Sequence, residues 1–181
     1  KKPNLVMALP TGGTPVGLLA EMSRMAKSTE ADFAHARSFN IDEYIPLKKD
    51  DPQSYYWFLE HYFYQHANIP CENTFAPNVL AEDLNAECAR YEREIQAQGD
   101  FDITILGIGH DGHIGFNEPH PTHSPVCHII DLNEETIEAN ARFFSRKEDV
   151  PLRAITLGMG TILRSKEIVL IANGKSKAAV I

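Results

Sequence analysis

Short apolar runs alternate along the chain with stretches of helical period. The runs Asn4 to Leu9, Arg37 to Ile41, Phe101 to Leu106, Ala154 to Leu157 and Glu167 to Ala172 have strand length and end at glycine, proline or polar residues. Between them, Tyr55, Phe58, Leu59, Tyr62 and Phe63 recur at the spacing of one helix face, and Leu84, Cys88, Tyr91 and Ile95 form a similar stripe among Glu87, Arg90, Arg93 and Glu94. Both stripes predict amphipathic helices whose apolar side enters the core. Strands alternating with such helices predict an α/β fold: a Rossmann-like, mostly parallel sheet with helices on both faces. No segment repeats at a fixed period or is low in complexity, so residues 1–181 are expected to form a single domain.

Composition narrows the function. With 181 residues and 43% hydrophobic side chains, the chain can bury one sizeable core. Its 17 lysines and arginines against 25 aspartates and glutamates give a charge of −8, which argues against nucleic acid as a partner. No apolar run approaches the roughly 20 residues that span a bilayer, so no membrane association is expected. Cys71, Cys88 and Cys127 are odd in number and lack C-x-x-C spacing, which points to a reducing compartment and a cytoplasmic location. The first residues run directly into a strand pattern, and Gly174 to Ile181 reads as a helix just begun. The chain is therefore expected to be incomplete at both ends, and unstable or inactive as 181 residues alone. A homo-oligomer is compatible with the sequence.

Three joints carry candidate chemistry. Pro10-Thr11-Gly12-Gly13-Thr14-Pro15 falls where a strand hands over to a helix; glycines there let backbone amides approach an anion at a helix start. The spacing is not that of a Walker loop, which disfavours nucleoside triphosphate hydrolysis, and a plain glycine turn is the alternative. Asp42-Glu43-Tyr44 follows the second strand, where a carboxylate at a strand's carboxyl end can act as a base or merely cap a helix. The third joint, Gly107 to Pro119, is the densest polar cluster. Its opening matches G-x-G-x-x-G, but Gly115 and Pro119 leave no room for the helix that a dinucleotide fingerprint requires. What remains is His113 with Asp111 two residues before and Glu118 five after, an arrangement suited to general acid–base catalysis. His110, His113, His120, His123 and His128 leave a zinc site as a further alternative, and Arg142, Lys175 and Lys177 are cations that could complete an anion site.

These joints together resemble the glucosamine-6-phosphate deaminase family. The likeness runs through Phe39 to Tyr44 and Gly109 to Pro119, and also Asp51 to Tyr55, Ala139 to Phe144 and Gly158 to Thr161, so it covers nearly the whole chain. The related 6-phosphogluconolactonases share D-G-H but usually continue toward S-L-F-P, where this chain has Gly115-Phe116-Asn117-Glu118-Pro119. The resemblance implies conversion of glucosamine 6-phosphate and water to fructose 6-phosphate and ammonia, without metal or organic cofactor. It implies that His113, with Asp111 and Glu118, assists ring opening, and that Asp42 moves the C2 proton to C1. Thr11, Gly12, Gly13 and Thr14 would hold the phosphate of this small-molecule sugar phosphate, with Arg142 and Lys177 as counter-cations, under a mobile lid at about Leu132 to Val150. Galactosamine 6-phosphate is the nearest rival substrate, and a sugar-phosphate sensor without chemistry the rival from another class. Where many relatives carry S-S-L-x-S-R-T-R, residues His120 to His128 hold no arginine or lysine, which implies loss of the family's allosteric anion site.

Overall fold

The computed structural model describes residues 2–181. In chain order its elements are β1 (Val6–Leu9), α1 (Val16–Lys27), β2 (Arg37–Asn40), β3 (Asp42–Ile45), α2 (Tyr55–Tyr62), β4 (Thr74–Phe75), α3 (Leu84–Ala97), β5 (Ile103–Leu106), β6 (His128–Asp131), α4 (Glu134–Asn140), β7 (Arg153–Thr156), α5 (Met159–Leu163) and β8 (Glu167–Leu170). Five strands form a parallel sheet in the order β4-β2-β1-β5-β8. The predicted α/β architecture is present.

Alternation along β1 shows why the sheet is sandwiched. Val6 and Ala8 enter a core with Phe39, Tyr91, Ile95 and Phe101, under α3. Met7 and Leu9 enter the opposite core with Leu19 of α1, Leu59 of α2, and Phe63. A parallel strand covered on both faces needs apolar residues at every position, as the sequence Val-Met-Ala-Leu supplies. Local chemistry fixes the helix starts: the Ser54 hydroxyl accepts from the amides of Tyr56 and Trp57, and Asp83 caps α3 in the same way. Leu59 has no exposed surface, so its truncation to alanine would cost about 2–5 kcal/mol. The α2 stripe is not wholly core, however, because Tyr62 is 37% exposed.

A second, antiparallel sheet of order β3-β7-β6 departs from the sequence expectation. The run Arg37 to Ile41 leaves the parallel sheet at Asn40, and Asp42 opens the next strand rather than following the end of one. The strand expected at Ala154 to Leu157 lies at Arg153–Thr156, in this second sheet. One face packs on a small cluster, Tyr44, Phe116, Leu132, Ile137, Val150 and Ala154, while Ile155, Ile45 and Ile129 on the other join the core under α3. At the far edge of the parallel sheet, β8 is exposed throughout. The expected C-terminal helix is a single 3-10 turn at Lys175–Lys177.

Candidate active site

The loop between β1 and α1 is shaped by Gly12, whose φ of 89° lies in the left-handed region that favours glycine. Thr11, Gly12, Gly13 and Thr14 line a cleft of about 660 Å³ together with Asp42, His113, Arg142 and Lys177. A helix start exposes backbone amides and partial positive charge, so this end of the cleft is suited to an anion. Burial, offset in part by Asp111 and reinforced by Arg142, lowers the Lys177 ammonium from its ordinary value. Arg142 is exposed, its guanidinium 4.7 Å from the centre of the Phe143 ring. The sequence-predicted anion ligands thus come from three separate segments to one cavity.

Asp42 sits where the chain crosses from the parallel to the antiparallel sheet. Only 8% exposed, it is pushed up to about 8 by burial and then by the neighbouring charge of Glu43. Glu43 points into different chemistry: its carboxylate accepts from the amides of Tyr44 (2.9 Å), Tyr55 (2.9 Å) and Tyr56 (2.8 Å) and from the Ser54 hydroxyl (2.8 Å). Burial raises its pKa while those bonds oppose the rise. Glu43 therefore ties β3 to the start of α2, and Asp42 is left as the carboxylate facing the cleft. Sequence reasoning missed this role of Glu43: apart from the adjacent Tyr44, its partners lie more than ten residues away.

The loop after β5 folds back on itself. The amide of Gly109 donates to the carbonyl of His113 (2.9 Å), and the side chain of Asn117 donates to the carbonyls of Ile114 (3.0 Å) and Leu157 (2.8 Å). The amide of Phe116 donates to the Thr156 hydroxyl on β7 (3.2 Å). A Cβ at position 109 would stand 2.3 Å from His113 Nδ1 and 2.6 Å from Asp111 Oδ1, so glycine is what admits the pair. At Gly115, φ is 60°, and a Cβ would stand 2.9 Å from Thr156 Oγ1 and 3.4 Å from Asp42 Oδ2. These glycines let the loop bring His113 to its carboxylates and settle beside Asp42.

Asp111, His113 and Glu118 converge as their spacing predicted. His113 Nδ1 lies 2.7 Å from Asp111 Oδ1 and 4.0 Å from Glu118 Oε2. The shorter approach is an electrostatic contact rather than an aligned hydrogen bond, because the ring N–H direction misses the oxygen. Burial works against ionisation of Asp111, but the neighbouring Glu118 carboxyl and the amide and charge of His113 outweigh it and hold the carboxyl low. Glu118 is pushed up by burial and by Asp111, against the Thr136 hydroxyl and the charge of His113. Adjacent carboxyls driven in opposite directions can divide acid and base roles. Their ligand atoms lie within 4.8 Å of one another, the sole such grouping among the described residues. The histidine-rich alternative is not assembled: His120 Nδ1 is engaged by Thr122 (2.9 Å) and His128 Nδ1 by the carbonyl of Val126 (3.0 Å). Nor does a helix open inside the G-x-G-x-x-G match, since the next is α4.

The segment expected to form a lid contains α4 and packs through Leu132, Ile137 and Val150 onto Tyr44 and Phe116. From α4, Thr136 donates a hydrogen bond to Glu118 Oε1 (2.7 Å), a contact that no sequence pattern predicts. The only local signal was Asn133 as an N-cap three residues earlier, accepting from the Thr136 amide.

Comparison with known proteins bears on the whole chain. Residues 1–181 match the family described as glucosamine-6-phosphate isomerases/6-phosphogluconolactonase. A protein named glucosamine-6-phosphate deaminase from Thermoanaerobacter sp. (strain X514) is 50% identical over all of this chain and 72% of its own length. One of the same name from Clostridium perfringens (strain 13 / Type A) is 48% identical over all of this chain and 75% of its own. A solved structure described as a monomeric glucosamine-6-phosphate deaminase superposes with a TM-score of 0.94 at 46% identity, over 98% of this chain and 74% of that one. The 6-phosphogluconolactonase of Thermotoga maritima, 21% identical, shares the fold with a TM-score of 0.71, over 99% of this chain and 74% of its own. The chain belongs to the glucosamine-6-phosphate isomerase/6-phosphogluconolactonase family.

Proposed function

We propose that this protein is an amino-sugar phosphate deaminase-isomerase that converts glucosamine 6-phosphate and water to fructose 6-phosphate and ammonia. The observation that carries this reading is that an anion-binding loop and two independently held proton-transfer groups, Asp42 and His113, line one cleft. The names of relatives about half identical to it over its whole length support the same substrate. Free Cys71, Cys88 and Cys127 support a reducing, cytoplasmic setting, and no helix among the described residues is long and apolar enough to cross a membrane.

The phosphate is held by the amides and hydroxyls of Thr11 to Thr14, with Lys177 and Arg142 as counter-charges. His113 moves a proton between the C1 hydroxyl and the ring oxygen, the C1–O5 bond breaks, and an aldehyde forms at C1. Asp111 and Glu118 orient the imidazole and offset its positive charge. The C2 proton is now acidic, and Asp42 takes it while the electron pair moves through C1 onto the carbonyl oxygen, which takes a proton from the substrate's own ammonium group. The resulting enolamine accepts the C2 proton back from Asp42 at C1, the freed nitrogen lone pair forms an iminium at C2, and water replaces nitrogen there, leaving the ketone and releasing ammonium. A carboxyl raised to about 8 is a stronger base than an exposed one, which suits proton abstraction from carbon. The test is ammonia release with glucosamine 6-phosphate and galactosamine 6-phosphate compared side by side. Faster turnover of the first is expected; binding of either without ammonia release would replace the enzyme reading with a sensor.

A further inference from the structure

Glu118 has two oxygens with different neighbours. Oε2 lies 4.0 Å from His113 Nδ1, in the group that also contains Asp111. Oε1 accepts a 2.7 Å hydrogen bond from the hydroxyl of Thr136, which is 3% exposed and shielded from competing water. Thr136 cannot easily shift, because its own amide donates to the cap Asn133 (2.7 Å) and the next residue, Ile137, is packed beside Tyr44 and Phe116. Resting on the function proposed above, we infer that Thr136 is a positioning residue: its hydroxyl pins Oε1 of Glu118, aims Oε2 at His113, and makes that setting depend on α4 being docked.

The physical argument is that a free carboxylate rotates about its last torsion at little cost, whereas one with a fixed donor on one oxygen does not. A hydroxyl that donates to a carboxylate also favours its ionised form. The charged or titratable groups facing Glu118 are Asp111 and His113, and Lys177 lies beyond Asp111; α4 contributes the neutral hydroxyl alone. Removing that hydroxyl leaves the repulsion from Asp111 with less to oppose it. The ionisation of Glu118 then moves to higher pH, and the imidazole loses one of its two orienting carboxylates.

Thr136→Val keeps the shape and removes the donor; Thr136→Ser keeps the donor and removes the methyl. Two readouts separate the roles. In a carbon-13 carboxyl titration, with the Glu118 signal assigned by its loss in Glu118→Gln, the Glu118 midpoint should move to higher pH, by about 1, in Thr136→Val and return toward wild type in Thr136→Ser. In steady-state ammonia release at pH 7, kcat should fall about tenfold in Thr136→Val with KM changed less than about twofold, and recover in Thr136→Ser. If the valine unfolds the protein, Thr136→Ala carries the same comparison. An unchanged Glu118 midpoint without the hydroxyl, or a serine variant as impaired as the valine one, would overturn the inference. Wild-type protein that releases no ammonia would instead refute the reaction, while the carboxyl titration would still decide the role of Thr136.

Discussion

The parallel and the antiparallel layers build opposite kinds of site. In the first, β1 and its neighbours β2 and β5 are buried almost throughout, and the loop after β1 offers backbone groups whose charge does not titrate. The second opens on Asp42, supports the His113 loop through Thr156, and packs one face on a cluster of six buried residues, with β6 largely half-exposed. Holding a phosphate needs fixed charge at a fixed place, which a helix start on a rigid sheet provides. Moving protons needs groups whose ionisation is tuned by burial and by neighbours, and a crossing point between two sheets provides both. The two jobs meet in one cleft: the His113 loop leaves β5 of the first layer but settles on Thr156 and beside Asp42 of the second, so substitutions at the phosphate end and at the proton-transfer end should fail differently.

The largest effect is expected at His113. Its replacement by alanine should slow turnover by about 10²–10⁴-fold, while inorganic phosphate binding stays near wild type. Near-normal turnover would place ring opening elsewhere. On the binding side, Lys177→Met should raise KM by about 10–100-fold, far more than it lowers kcat. A fall in kcat alone, with KM unchanged, would erase the division between the two ends of the cleft.

Asp42 links the comparison to pH. Because its folded pKa is raised to about 8, kcat/KM should climb with pH and level off near that value. The same burial has a cost for the fold. Below the unfolded value near 4 the carboxyl is neutral in both states; as pH rises from there the native state loses stability relative to a neutral side chain, and the loss is complete above about 8. Asp42→Asn should therefore be more stable than wild type at pH 8, by about 1.4 kcal/mol for every tenfold weakening of the acid on folding, with the gain vanishing near pH 4. Denaturant melts at the two pH values check it, and equal stability at both would mean Asp42 is not held in a desolvated site. The smallest effect concerns regulation. The stretch from His120 to His128 offers no lysine or arginine, so N-acetylglucosamine 6-phosphate should leave the substrate saturation curve at pH 7.5 unchanged. A marked drop in half-saturation would reveal an anion site elsewhere.

The two layers also differ in how far the sequence discloses them. Parallel strands buried on both faces appear as apolar runs, unbroken in β1 and interrupted only by Thr104 in β5, so both are legible directly. In the second sheet, His128-Ile129-Ile130-Asp131 has polar residues at both ends and Asp42-Glu43-Tyr44-Ile45 opens on two carboxylates, and their pairing is set by contacts with β7 distant in sequence. The site divides along the same line. Thr11 to Thr14 and the Asp111, His113, Glu118 set are contiguous motifs whose geometry follows from short loops with glycine at the tight places. Glu43, Thr136 and Thr156 act through partners 11, 18 and 40 positions away, and no local pattern marks them.

The central claim is that Asp42 moves the C2 proton while other groups hold the sugar phosphate. Its most direct test is exchange of the C2 hydrogen of glucosamine 6-phosphate with solvent in deuterium oxide, for wild type and Asp42→Asn, beside a measurement of binding. The amide keeps the shape of the carboxyl but cannot accept the proton. The account predicts exchange by wild type and none by Asp42→Asn, with the sugar phosphate still bound; continued C2 exchange by the variant would contradict it.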